Sequence, residues 1–159
     1  VQTACEQLYE TLALLDHAAA ANGGDSIILH RVLGAGEMLS SRLVTAFLQG
    51  QGRQVAWLDA SQVIVVEDDV TDVSINWNDS VSLISQSVSE WPDVDLVVVP
   101  GFVATNRSGN PVILGMNSSD YSAAIIAQLF QSPSLTIWTD VRGLMSADPE
   151  RVHCAFVLR

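Results

Sequence analysis

Leu96-Val97-Val98-Val99 is an uninterrupted apolar run, entered from Asp95 and left through Pro100-Gly101. A strand with one face in water alternates apolar and polar residues. A run without alternation suits a strand buried on both faces, as in a parallel sheet covered by helices. Shorter runs of the same kind recur at Gln54–Leu58 before Asp59, at Val63–Val66 before Glu67-Asp68-Asp69, at Val112-Ile113-Leu114, and at Leu135–Trp138 before Thr139-Asp140. Helical patterns stand between them. Leu8, Leu12, Leu15 and Ala19 predict a helix over Thr3–Ala21 that stops at Asn22-Gly23-Gly24, and the apolar residues of Met38–Leu48 predict another that stops at Gly50-Gln51-Gly52. Asp79–Glu90, closed by Trp91-Pro92, and Tyr121–Gln131 complete the set. The turn chemistry of Asn106-Arg107-Ser108-Gly109-Asn110-Pro111 predicts a hairpin into Val112. Strands alternating with helices predict an α/β fold, a mainly parallel central sheet with helices on both faces.

At 159 residues, 48% of them apolar and 16% charged, the chain has the size of one domain with a sizeable core. Its seven basic residues are all arginines, set against 18 Asp and Glu for a net charge of −11. Polyanion binding draws its affinity from clustered cations, so nucleic acid and anionic membranes are excluded as partners. No apolar stretch approaches the ~20 residues of a membrane-spanning helix, and no basic segment followed by an apolar one opens the chain as a signal peptide would. Cys5 and Cys154 lie near opposite ends and read as two buried thiols, with the cytosol as the default compartment. The sequons at Asn78, Asn106 and Asn117 are then polar turns.

Ligands of open α/β sheets bind at the carboxyl ends of strands. Three such ends carry distinctive groups: Pro100-Gly101-Phe102, Leu114-Gly115-Met116-Asn117-Ser118-Ser119-Asp120, and Trp138-Thr139-Asp140. The second joins a strand to a helix start, where free backbone N–H groups suit either an anion or a simple cap. Gly34-Ala35-Gly36-Glu37-Met38-Leu39 begins like a dinucleotide fingerprint, but Leu39 occupies the place of its third glycine, and Glu37 reads as a carboxylate at a helix start. His17, His30 and His153 have no metal-ligand spacing, which gives no metal site. Glu67-Asp68-Asp69 with Asp72 reads as a solvated acidic loop.

In order along the chain these pieces resemble the aspartokinases of the amino acid kinase family. Gly36-Glu37-Met38-Leu39-Ser40-Ser41-Arg42-Leu43 is similar to a G-E-x-x-S-x-R-L motif, Trp57-Leu58-Asp59-Ala60 to W-L-D-A, and Gly101-Phe102 to the G-F that opens a substrate hairpin. Leu114 to Pro149 is similar to L-G-R-[GN]-G-S-D-Y-S-A followed by W-T-D-V-x-G-x-x-[ST]-x-D-P. The resemblance covers about residues 30 to 152 and identifies residues 1–159 as a partial kinase domain, incomplete at the N-terminus. It implies transfer of the ATP γ-phosphoryl group to the β-carboxylate of L-aspartate, with Mg2+ held through the nucleotide phosphates. By the same resemblance Glu37, Gly101, Phe102 and Ser119 bind substrate, Asp120 organises the catalytic lysines, and Thr139, Asp140 and Asp148 line the nucleotide pocket. A homo-oligomer and fusion to homoserine dehydrogenase are further expectations of that kind.

The departures are as specific as the matches. Met116 stands where the family has the arginine that grips the substrate carboxylate, Ser118 where it has glycine, and Glu150 where it commonly has arginine, with Arg151 one position on. The family's K-F-G-G strand and later lysine motif have no counterpart, and the chain has no lysine at all. Two readings follow: an inactive piece of a longer aspartate kinase, or a catalytically degenerate scaffold or regulatory domain.

Overall fold

The computed structural model describes residues 26–67, 73–91, 93–115, 118–139 and 143–158, together with Glu6, Tyr9 and Ala13, which are helical. The rest of the helix expected over Thr3–Ala21, and Asp68, Asp69 and Asp72 of the acidic loop, lie outside the described residues.

Helix α1 runs over Ser26–Gly50. It starts well before the expected Met38, because Gly34 and Gly36, which began the fingerprint-like run, are helical. Glycine costs about 1 kcal/mol relative to alanine inside a helix. At Gly34 close packing offsets that cost, since a Cβ there would collide with Val103 Cγ1. Glu37 therefore lies midway along a helix and not at its start. The helix ends at Gly52, whose φ of 80° only glycine adopts without strain. The Arg53 amide donates to the Leu48 carbonyl at 3.2 Å and the Gly52 amide to Gln49 at 2.9 Å, a Schellman ending.

Strand β1, Val55–Trp57, leads to a short helix α2, Ala60–Val63, capped by Asp59, whose Oδ1 accepts from the Ser61 amide at 2.9 Å and from Ser61 Oγ at 2.6 Å. Strand β2 is only Val65–Val66, because Val63 closes α2. Helix α3, Trp77–Ser89, is capped by Asn76. Its buried Ser80 Oγ accepts the Val65 amide at 3.0 Å, fastening α3 to β2. Strands β3, Leu96–Val98, β4, Val103–Asn106, and β5, Pro111–Ile113, precede helix α4, Ser119–Leu129.

Two of the three ladders are parallel. β1 pairs with β3 in the register Val55 to Leu96 and Trp57 to Val98, and β2 pairs with β4. β4 and β5 form the expected antiparallel hairpin, turned at Gly109, with Asn106 Oδ1 accepting the Asn110 amide at 2.8 Å. The chain is thus α/β with parallel pairing, and its core gathers Leu58, Val63, Ile64, Ile84, Ala104 and Ile125 between helices and strands.

Two further expectations fail. Leu135–Trp138 forms no strand, and Trp138 is 91% exposed. A strand needs a neighbour to take its N–H and C=O groups, and among the described residues no strand pairs with this segment. Cys154 is an exposed free thiol rather than a buried one, because residues 143–158 lie along the surface; Cys5 is outside the described residues. No helix among the described residues is long and apolar enough to cross a membrane.

Candidate active site

The turn between β3 and β4 and the start of α4 face each other. Phe102 holds a left-handed φ of 73°, a conformation that costs a side-chain-bearing residue about 1 kcal/mol or more unless its surroundings enforce it. Two hydrogen bonds do so. Its amide donates to Ser122 Oγ at 2.8 Å, and its carbonyl accepts from the Leu114 amide at 2.8 Å. Ser122 Oγ in turn donates to the Ser118 carbonyl at 2.8 Å, so one hydroxyl, 2% exposed, joins the turn to the N-terminus of α4.

Gly101 packs beside the start of α4: a Cβ on it would lie 3.4 Å from Ser119 Cα and 3.7 Å from Ser122 Cβ, an ordinary contact that would fill part of the cleft. The cleft has a volume of about 420 Å3, with Pro100 and Gly101 on one side, Ser119 and Ser122 on another, and Thr136 at its edge. Ser118 Oγ is buried and has no hydrogen-bond partner, an unusual state for a buried hydroxyl. Asp120, in the first turn of α4 and exposed, adds a carboxylate where the helix dipole favours it.

Gly101 and Ser119 therefore lie side by side, with Phe102 bonded to Ser122 of the same helix turn and Asp120 next to Ser119 in that turn. Glu37 is half-buried on α1, and Gly34, one turn earlier, packs on Val103 beside Phe102. Thr139 is exposed, three residues beyond the cleft's Thr136. Asp148 sits in a surface turn, its Oδ1 accepting the Glu150 amide at 2.9 Å. Asp140 and Met116 lie outside the described residues. No three His, Cys, Asp or Glu side chains among the described residues converge as metal ligands.

Sequence reasoning passed over Ser122. A serine four residues after Ser118, inside an otherwise apolar Ala-Ile-Ile-Ala helix, was the available signal. Ser41, Arg42 and Trp57 also form a unit. The Arg42 guanidinium stacks 3.5 Å from the Trp57 ring centroid, and Trp57 Nε1 donates to Ser41 Oγ at 2.9 Å. This clamp fixes α1 on β1, and through it the placement of Glu37 one turn before Ser41.

The amino acid kinase family model matches residues 4–158, nearly the whole chain. The chain belongs to the amino acid kinase family. Within that family it is similar to aspartokinases. It is 39% identical over 146 residues to the bifunctional aspartokinase/homoserine dehydrogenase 2 of Escherichia coli (strain K12), covering 92% of this chain and 17% of that protein. It is 32% identical over 129 residues to the aspartokinase of Chlamydia pneumoniae, covering 79% of this chain and 28% of that one. Among solved structures it superposes on E. coli aspartokinase III in complex with aspartate and ADP with a TM-score of 0.83 at 26% identity, over 96% of this chain and 34% of that one. The chain thus spans less than a third of the length of the first two relatives.

Proposed function

We propose that residues 1–159 are part of an aspartokinase catalytic domain, which transfers the γ-phosphoryl group of Mg-ATP to the β-carboxylate of L-aspartate. The observation that carries this reading is the cleft at Gly101, Ser119 and Ser122, where a strained turn and a helix N-terminus are held together by one buried hydroxyl. The superposition on an aspartokinase solved with aspartate and ADP supports it.

In this reading the Gly101–Phe102 turn and Ser119 shape the acceptor side of the cleft. Close approach at Gly101 leaves backbone within reach of a small carboxylate substrate. Glu37 holds the substrate ammonium by a charge-assisted contact, a role a carboxylate suits. Mg-ATP supplies the transferable phosphoryl group when bound, with Thr139, Asp140 and Asp148 toward the nucleotide and Asp120 orienting the cations of the transfer. Phosphoryl transfer relies on positioning and on cations around the spreading negative charge. The hydroxyls of Ser119, Ser132, Ser134 and Thr136 along the cleft are donors that suit an anionic oxygen. In this reading the cations come from outside the described residues: the chain has no lysine, and no arginine among the described residues lines the cleft. The 159 residues alone accordingly do not catalyse the transfer.

The full-length protein carrying this chain provides the test. Glu37→Gln is expected to raise KM for aspartate tenfold or more, by loss of a charge-assisted contact worth about 1.5–3 kcal/mol, with little change in KM for ATP. An unchanged KM for aspartate overturns the assignment of Glu37.

Met116 and Glu150 favour a second reading, a catalytically silent scaffold or regulatory module serving a fused dehydrogenase or an oligomer. Calorimetry of the full-length protein with Mg-ATP and aspartate separates the two. Binding of both ligands supports the kinase, and binding of neither supports the scaffold.

A further inference from the structure

His30 and Gly34 stand one turn apart on α1, and both meet the β4–β5 hairpin. His30 Nδ1 lies 3.1 Å from the carbonyl oxygen of Pro111, 81 residues away, and a Cβ on Gly34 would collide with Val103 Cγ1. Pro111 is the register partner of Thr105, so the two contacts fall at the levels of Thr105 and Val103 along β4. We propose that the His30 bond sets the axial register of α1 on the hairpin, which makes His30 a positioning residue for Glu37. This inference rests on the acceptor role given to Glu37 above.

Helix and strand rises give that register. A helix advances about 1.5 Å per residue and a strand about 3.3 Å. From His30 to Gly34 the helix climbs about 6 Å, and from Thr105 to Val103 the strand covers about the same length, so both contacts form at once. Continuing from Gly34 to Glu37 and from Val103 to Phe102 adds about 4 Å and about 3 Å, which brings Glu37 level with Phe102. Glu37 also follows His30 by close to two helical turns and so lies on the same face of α1, the face toward the hairpin. It is half-buried there.

Packing alone leaves this register loose. A cavity of about 270 Å3 lies between α1 and the hairpin, with His30, Gly34, Met38, Val103 and Thr105 among the residues around it. Apolar contact is non-directional, and a void offers no atoms to resist a small slide of the helix. A hydrogen bond weakens steeply once its angle falls below about 120°, so it holds a position along the axis that the hollow does not. The Pro111 carbonyl oxygen only accepts, so Nδ1 is the donor, a role that the Nδ1–H tautomer and the imidazolium both fill. The Trp57 clamp holds α1 at Ser41, beyond Glu37, and the His30 bond holds it before Glu37. Glu37 is thus fixed from both sides.

Three substitutions in the full-length protein test the role. Asparagine places an N–H where Nδ1 stands, glutamine carries the same amide one carbon further out, and leucine has no donor. His30→Gln and His30→Leu are expected to raise KM for aspartate about three- to tenfold, the range of one neutral hydrogen bond, with KM for ATP unchanged. His30→Asn is expected to bring KM back to within about twofold of the unmodified protein. Helix propensity favours glutamine over asparagine, so a merely structural role predicts the opposite order. On the unmodified 159-residue chain, which has three histidines, the imidazole 15N spectrum at about pH 8 is expected to show His30 protonated at Nδ1. Glu37→Gln is run in the same kinetic assay. If it raises KM for aspartate while His30→Gln does not, or if His30→Asn is no better than His30→Gln, the role of His30 is overturned and the aspartate reading stands. An unprotonated Nδ1 overturns it as well. If the full-length protein makes no aspartyl phosphate, or Glu37→Gln leaves KM unchanged, the underlying reading fails and takes this proposal with it.

Discussion

The Phe102 amide donates to Ser122 Oγ across 2.8 Å, and that bond ties a backbone in the left-handed region to the first turn of α4. It joins residues twenty apart in sequence, one in the turn and one in the helix that wall the cleft. The hydroxyl also serves the Ser118 carbonyl, so its removal leaves a buried N–H unpaired and releases the turn.

Ser122→Ala is accordingly expected to cost about 1–3 kcal/mol of stability, the penalty for an unsatisfied buried donor. Urea unfolding of the 159-residue chain checks this. A loss below about 0.5 kcal/mol would mean that the turn stands without Ser122.

Two glycines of α1 predict opposite signs. Gly36→Ala meets nothing within 4 Å and is expected to stabilise by up to about 1 kcal/mol through helix propensity. Gly34→Ala drives a methyl group into Val103 Cγ1 and is expected to destabilise by about 1–3 kcal/mol. Val103→Ala made on the Gly34→Ala background should recover part of that loss, which a double-mutant cycle measures.

How much was legible in the sequence divides along the same line as these glycines. The hairpin at Asn106–Pro111 and the stop at Gly52 could be read directly, because turn residues act on their own backbone. The early start of α1 could not, because Gly34 is helical by virtue of Val103, nearly seventy residues away. Leu135–Trp138 has a strand's composition without a strand's partner among the described residues. At the site, Gly101, Phe102 and Ser119 came from motif resemblance and Asp59 of W-L-D-A proved to be a helix cap, whereas Ser122 was hidden because a buried hydroxyl's value depends on what it faces.

Gly101→Ala separates cleft from fold. Its added methyl would sit 3.4 Å from Ser119 Cα, an ordinary contact, and Gly101 is not among the positive-φ residues. Stability should change by less than about 1 kcal/mol, while in the full-length protein KM for aspartate rises several-fold. A stability loss with unchanged KM would place Gly101 in the packing and outside the site.

Trp57→Phe removes the indole N–H that reaches Ser41 Oγ but keeps a ring under Arg42. About 1 kcal/mol of destabilisation is expected from the lost hydrogen bond. Arg42→Lys, which exchanges a planar stacked group for a hydrated point charge, should cost a similar amount. Thermal unfolding of both variants reads the clamp, and in the full-length protein each is expected to raise KM for aspartate by displacing Glu37.

In the proposed function this chain forms the acceptor side of an aspartokinase site and takes its cations from elsewhere. Aspartyl hydroxamate formation from Mg-ATP, aspartate and hydroxylamine measures both halves of that statement, run side by side on the full-length protein and on the isolated 159 residues. Product is expected from the full-length protein and none from the isolated chain. A blank full-length protein, or product from the lysine-free chain alone, would contradict it.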